Sequence, residues 1–109
     1  IGSGKGLGYN LNYPMPRDTS FTQWQQSLTA ALAELDEFSP QYLIVSLGVD
    51  TFENDPISFF KLTTADYFTT GAMIAELRIP TLFVMEGGYD IDEVGINVLE
   101  VLKGFESVK

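Results

Sequence analysis

Two apolar runs of strand length constrain this chain more than anything else in it. The first is Tyr42-Leu43-Ile44-Val45-Ser46-Leu47-Gly48-Val49, closing at Asp50. The second is Pro80-Thr81-Leu82-Phe83-Val84-Met85-Glu86-Gly87-Gly88, closing at Tyr89. Between them lies a segment of helical period, so the order is strand, helix, strand, and the two strands are expected to run parallel. Neither run alternates, which is how strands read when a sheet is covered on both faces. In open parallel α/β sheets ligands bind outside the carboxyl ends of the strands. Asp50 and Tyr89 are therefore expected to share one crevice, a metal-capable carboxylate beside a phenol.

The other elements fall on either side of this unit. Residues 8–14 (Gly8-Tyr9-Asn10-Leu11-Asn12-Tyr13-Pro14) alternate and are rich in aromatics, predicting a short strand that ends at a proline. A helix is predicted over 21–38, where Phe21, Trp24, Leu28, Leu32 and Leu35 make one apolar face. Ser20 with Gln23 forms its capping box and Pro40 its stop. The second helix is predicted over 64–77, capped by Thr63 and Asp66 and ended by Pro80. The third starts with Asp90 as N-cap and Glu93 at N3, buries Ile91, Val94, Val98, Val101 and Phe105, and has Gly104 as candidate terminator. The fold class expected is α/β, a partial three-layer αβα parallel sheet with about three strands and three helices, all in one domain over 1–109.

A chain of 109 residues with 45% hydrophobic residues packs a core rather than staying disordered. Its net charge of −9, with only six Lys and Arg, argues against nucleic acid as a partner. An acidic surface of this kind favours cationic ligands as well as solubility. No apolar stretch approaches the ~20 residues a bilayer span needs, and the start lacks a signal-type apolar segment, so no membrane partner is expected and the expected location is the cytoplasm. The chain has neither cysteine nor histidine. Disulfides and thiolate metal sites are excluded.

Three motifs are candidates for chemistry. Gly2-Ser3-Gly4-Lys5-Gly6-Leu7-Gly8 resembles a phosphate loop only superficially, because neither the P-loop nor the dinucleotide spacing is met; a flexible or tightly turned entry to the first strand is the better reading. Asp50-Thr51-Phe52-Glu53-Asn54-Asp55-Pro56 lacks the glycine and terminal glutamate of a calcium loop, and Asn54-Asp55-Pro56 reads as a turn. Asp50 differs because it follows a buried run, where a carboxylate is costly unless paired or bound to metal. In Glu86-Gly87-Gly88-Tyr89 the glycines allow close approach of a ligand to backbone, and a phenol there could donate to a developing oxyanion. The plain alternative is a tight turn followed by a packing tyrosine.

Taken in order, Gly8-Tyr9-Asn10-Leu11-Asn12-Tyr13-Pro14, Val45-Ser46-Leu47-Gly48-Val49-Asp50-Thr51-Phe52, Asn54-Asp55-Pro56-Ile57, Phe60-Lys61-Leu62-Thr63 and Pro80 to Tyr89 resemble the C-terminal part of the zinc-dependent histone deacetylase superfamily. The likeness is greatest to the bacterial acetylpolyamine amidohydrolases and covers essentially the whole chain. It implies an arginase/deacetylase-like sheet. It implies that Asp50 is a ligand of the catalytic zinc and that Tyr89 polarises the amide carbonyl and stabilises the tetrahedral intermediate. Ile57 would line the tunnel for the acyl-lysine or acyl-polyamine, Gly87 and Gly88 would flank it, and Tyr9 would contact a structural monovalent cation.

The family's remaining zinc ligands, in an Asp-x-His segment, and its two tandem histidines lie N-terminal to the matched residues. A catalytic zinc needs three protein ligands and an open position, so this chain alone is expected to bind no zinc tightly and to be inactive by itself. The resemblance thus implies the C-terminal portion of a zinc-dependent acetylpolyamine or acetyl-lysine amide hydrolase. Two alternatives stand beside it: a non-catalytic oligomeric α/β binding module, and one half of a split deacetylase. The partners expected are a second copy of the chain or the missing N-terminal half.

Overall fold

The structure, a computed structural model, describes residues 1–108. The glycine-rich start is a turn of 3₁₀ helix at Gly4–Gly6, with Gly2, Gly4 and Gly8 at positive φ. Helix α1 (Phe21–Phe38) has the expected bounds. The Ser20 hydroxyl accepts from the Gln23 N–H and the Gln23 side chain accepts from the Ser20 N–H, so the first turn satisfies its own donors. Ser39, in the left-handed conformation at φ 56°, ends the helix before Pro40.

Strands β1 (Leu43–Leu47) and β2 (Thr81–Met85) pair in parallel, Leu43 opposite Thr81 and Leu47 opposite Met85. Helix α2 (Thr64–Ala75) connects them. Asp66 Oδ2 accepts from the Thr63 N–H at 2.7 Å and from its hydroxyl at 2.9 Å, which sets the start. The helix stops short of Leu77 because its last amides, Leu77 and Arg78, bond three residues back to Ile74 and Ala75, tightening the exit toward Pro80. Helix α3 (Val94–Ser107) begins later than Asp90: the Asp90 carbonyl accepts from both Glu93 and Val94, so 91–93 form a turn and Ile91 is 88% exposed instead of buried.

Two further expectations fail for nameable reasons. Residues 8–14 form no strand, since no neighbouring strand offers them hydrogen-bond partners. Gly104 does not terminate α3 but lies buried within it. A Cβ there would fall 1.9 Å from the Phe68 carbonyl oxygen, and one on Gly71 would fall 1.9 Å from the Val101 carbonyl oxygen. These two glycines let α2 and α3 touch backbone to backbone.

The core gathers Leu47, Val49, Phe52, Leu62, Tyr67 and Val101, with Phe21, Trp24, Val45 and Phe83 packed against it. Phe83 meets Phe105 of α3 edge-on, ring centroids 5.3 Å apart. Along β1 and β2 the alternate residues Ile44, Ser46, Leu82 and Val84 are exposed. Among the described residues the sheet thus has two strands rather than three, and helices cover one face where the unbroken apolar runs predicted two covered faces.

Candidate active site

The ladder between the strands continues past their ends: the Glu86 N–H donates to Leu47 and the Val49 N–H donates to Gly87, both at 2.8 Å. This extension holds 48–50 and 86–88 side by side where the chain leaves the sheet. The Asp50 carboxylate lies over the glycines at that point. A Cβ on Gly48 would sit 2.9 Å from Asp50 Oδ1, and one on Gly87 would sit 2.6 Å from Oδ2 and 3.3 Å from Cε2 of Tyr89. Asp50 and the Tyr89 ring therefore flank Gly87 on one side of the sheet, as the two apolar runs imply. Any side chain at Gly87 would push into both. Gly88 serves the interior instead, since a Cβ there would meet Val49 at 2.7 Å and Val94 at 2.8 Å.

The loop after β1 is fastened on two sides. The Glu53 N–H donates to Leu62 and the Leu62 N–H to Thr51, while the Lys61 N–H donates to Thr19. Beneath it, the buried Tyr67 hydroxyl donates to the Val49 carbonyl at 3.1 Å and accepts from the Thr51 hydroxyl at 2.8 Å. Burial pushes this phenol well above the usual tyrosine range, the Thr51 hydrogen bond opposing, so it stays a neutral donor that pins the residues on either side of Asp50.

An open groove of about 210 Å³ runs from Asp50 along Thr51, Ile57, Ser58, Phe59 and Phe60. Ile57 is 60% exposed and Tyr89 49% exposed, so both are available to a ligand. The Arg17 guanidinium stacks on the ring of Phe59, one of the groove's lining residues, 3.8 Å from its centroid.

Tyr9 belongs to a different place. It rests edge-on against Phe38 at the C-terminal end of α1, 6.3 Å between centroids, beside Glu34 and Leu35. Among the described residues no three metal-capable side chains cluster, so Asp50 stands as a single candidate ligand.

Asp55 is the residue that sequence reasoning passed over. Read as a turn residue, it is buried to 5% exposure; its Oδ1 accepts from the Ile57 N–H at 2.9 Å and the Ser58 N–H at 3.2 Å, and its Oδ2 from the Tyr89 N–H at 2.7 Å. Only the first two bonds have a local signal, because an aspartate before proline commonly bonds amides two and three residues on. The third joins residues 34 apart in sequence.

With this geometry in view, the comparisons with known proteins agree with one another. The chain is 50% identical to acetylpolyamine amidohydrolase 2 of Pseudomonas aeruginosa over 98% of its length and 31% of that protein's. It is 53% identical to the acetylpolyamine amidohydrolase of Mycoplana ramosa over 94% of its length and 30% of that protein's. The crystal structure of acetylpolyamine aminohydrolase from Burkholderia pseudomallei superposes with a TM-score of 0.95 at 40% identity, covering 98% of this chain and 31% of that one. The chain thus spans about a third of the relatives it matches. Residues 1–105 match the histone deacetylase domain, and the α/β arrangement that sets Asp50 beside Tyr89 is built on residues inside that match: the chain belongs to the histone deacetylase family.

Proposed function

We propose that this chain supplies one wall of a zinc-dependent amide hydrolase site acting on acetylated polyamines or acetyl-lysine. The observation that carries the reading is the placement of the Asp50 carboxylate and the Tyr89 ring on either side of Gly87, at the carboxyl ends of adjacent parallel strands. The family is zinc-dependent, yet the donor set here is one carboxylate, and a catalytic zinc takes three protein ligands. These residues do not make the metal site by themselves. Asp50 is one ligand of a set whose histidines come from outside residues 1–109, on the same polypeptide or on a separate chain. The chain's own chemical contribution is Tyr89, whose hydroxyl donates to the amide carbonyl oxygen as that oxygen gains charge. Ile57 and the backbone at Gly87 and Gly88 line the approach of the acyl-amine, and the net charge of −9 draws cationic amines. By the family likeness Tyr9 contacts a monovalent cation, and the cytoplasm is the setting.

The decisive test grafts this chain in place of the segment it matches in the Mycoplana ramosa relative. Zinc-dependent release of acetate from an acetylated polyamine is the expected result, and a folded but inactive graft would overturn the proposal. The chain alone is expected to bind zinc no tighter than a lone carboxylate does, well short of the ~10–16 kcal/mol of a full structural set. Stoichiometric sub-micromolar binding in calorimetry would refute the single-ligand reading.

The bare sheet face favours a second reading of the isolated chain, as an associating module. Ile44, Leu82 and Val84 are 68%, 58% and 42% exposed on adjacent strands, and each Å² of apolar area removed from water contributes about 25 cal/mol. Light scattering is expected to show a dimer, twice 12.1 kDa. A monodisperse monomer across a wide concentration range would reject it.

A further inference from the structure

We infer that Asp55 is a positioning residue that couples the loops after β1 and β2, holding the backbone of Tyr89 and the backbone of Ile57 with one buried carboxylate. The inference rests on the proposed function for its catalytic meaning and on geometry alone for its structural part. Asp55 sits in the loop after β1, while Tyr89 sits in the loop after β2. Those loops have no sequence proximity; the first carries Asp50 and Ile57, the second Gly87, Gly88 and Tyr89. The β1–β2 ladder reaches Gly87 but not Tyr89. Two residues beyond that last rung, the Tyr89 N–H finds its acceptor in Asp55 Oδ2 at 2.7 Å. Oδ1 meanwhile closes the turn that presents Ile57.

The physical consequences follow from burial and from the number of donors. At 5% exposure the Asp55 carboxylate is shielded from water, and its three backbone donors replace the water it loses. Hydrogen bonds in which one partner is ionised are shorter and roughly twice as strong as neutral ones. A phenol that must meet a developing oxyanion is useful only if its backbone is held, because a misplacement of about 1 Å can cost ~100-fold in rate. Tyr89 is half exposed, so packing does not fix it. Its anchor is the amide. Asparagine at position 55 would keep one acceptor oxygen and turn the other into a donor facing an N–H, so one of the two loops must be released.

The test begins with the chain as it exists and needs no activity. In the wild-type chain the Tyr89 N–H is expected to exchange with solvent slowly, and a through-hydrogen-bond scalar coupling is expected between its nitrogen and Asp55 Cγ. In Asp55→Ala the amides of Tyr89, Ile57 and Ser58 are expected to exchange ~10–100-fold faster, while that of Val101 in the core keeps its protection. A Tyr89 amide unprotected in the wild type, or unchanged in Asp55→Ala, would overturn the inference. If that variant fails to fold, the scalar coupling in the wild type decides, and its absence is equally fatal.

The second arm uses the graft described above. Asp55→Asn is expected to lower kcat ~10–100-fold, and Asp55→Asn combined with Tyr89→Phe to cost little more than Tyr89→Phe alone, since a group acting through another is not additive with it. Additive losses would show that Asp55 supports only the fold and would overturn the positioning role. A graft that is inactive before any substitution would reject the proposed function and leave the exchange and coupling results to judge the structural claim.

Discussion

Gly104→Ala is expected to lower the stability of the chain by about 3 kcal/mol or more, the upper part of the range for overpacking a closed interface. The added methyl would lie 1.9 Å from the Phe68 carbonyl oxygen, 2.8 Å from its carbon and 3.0 Å from the Ala72 nitrogen. All three are backbone atoms of α2, so no side chain can swing aside and the helices must separate. Separation would loosen the packing round Val101, which is fully buried beside Gly104 on the same helix. Gly71→Ala meets the mirror obstacle, 1.9 Å from the Val101 carbonyl oxygen, and is expected to cost as much. Helix propensity pulls the other way, since alanine is favoured over glycine by about 1 kcal/mol in a helix interior. Gly95 supplies the control: it is exposed on α3, and a methyl added there would meet nothing within 4 Å. Gly95→Ala is therefore expected to stabilise by about 0.5–1 kcal/mol. Urea denaturation followed by circular dichroism measures all three. A Gly104→Ala midpoint at or above the wild type would disprove the backbone-contact account.

Tyr89→Phe, in the graft described above, is expected to reduce kcat by ~100–1,000-fold, the usual effect of deleting one oxyanion donor. KM should move little, because the hydroxyl is asked to act on charge that develops only in the transition state. Stability should also stay close to wild type. The ring is 49% exposed and its backbone anchor to Asp55 survives the substitution. The comparison with Asp50→Asn separates the two walls of the site: that variant removes a candidate metal ligand and should reduce zinc retention by the graft, whereas Tyr89→Phe should leave zinc content unchanged. Activity of Tyr89→Phe within a few-fold of the parent would remove Tyr89 from the chemistry.

What the residues determine by themselves is local. Ser20 and Gln23 start α1, and Ser39 before Pro40 stops it, because capping bonds span only three residues. Two apolar runs joined by a capped helix leave a parallel pair as the simplest outcome, which puts Asp50 and Tyr89 at one end of the sheet. Where an element depends on a partner, the sequence is ambiguous. Residues 8–14 have the composition of a strand, yet a strand exists only against another strand, and none lies beside them here. Gly104 shows the same ambiguity in a single residue: glycine marks a helix end and also a close helix contact, and only the approach of Phe68 tells them apart.

Asp55 divides the site in the same way. Asp55 reads as a turn because two of its bonds are local. Its bond to the Tyr89 amide forms only when the loops after two different strands are brought together, and the pairing of β1 with β2 is what brings them. Side-chain identity and short-range spacing are written along the chain, whereas a buried carboxylate's third partner is decided by which strand ends become neighbours.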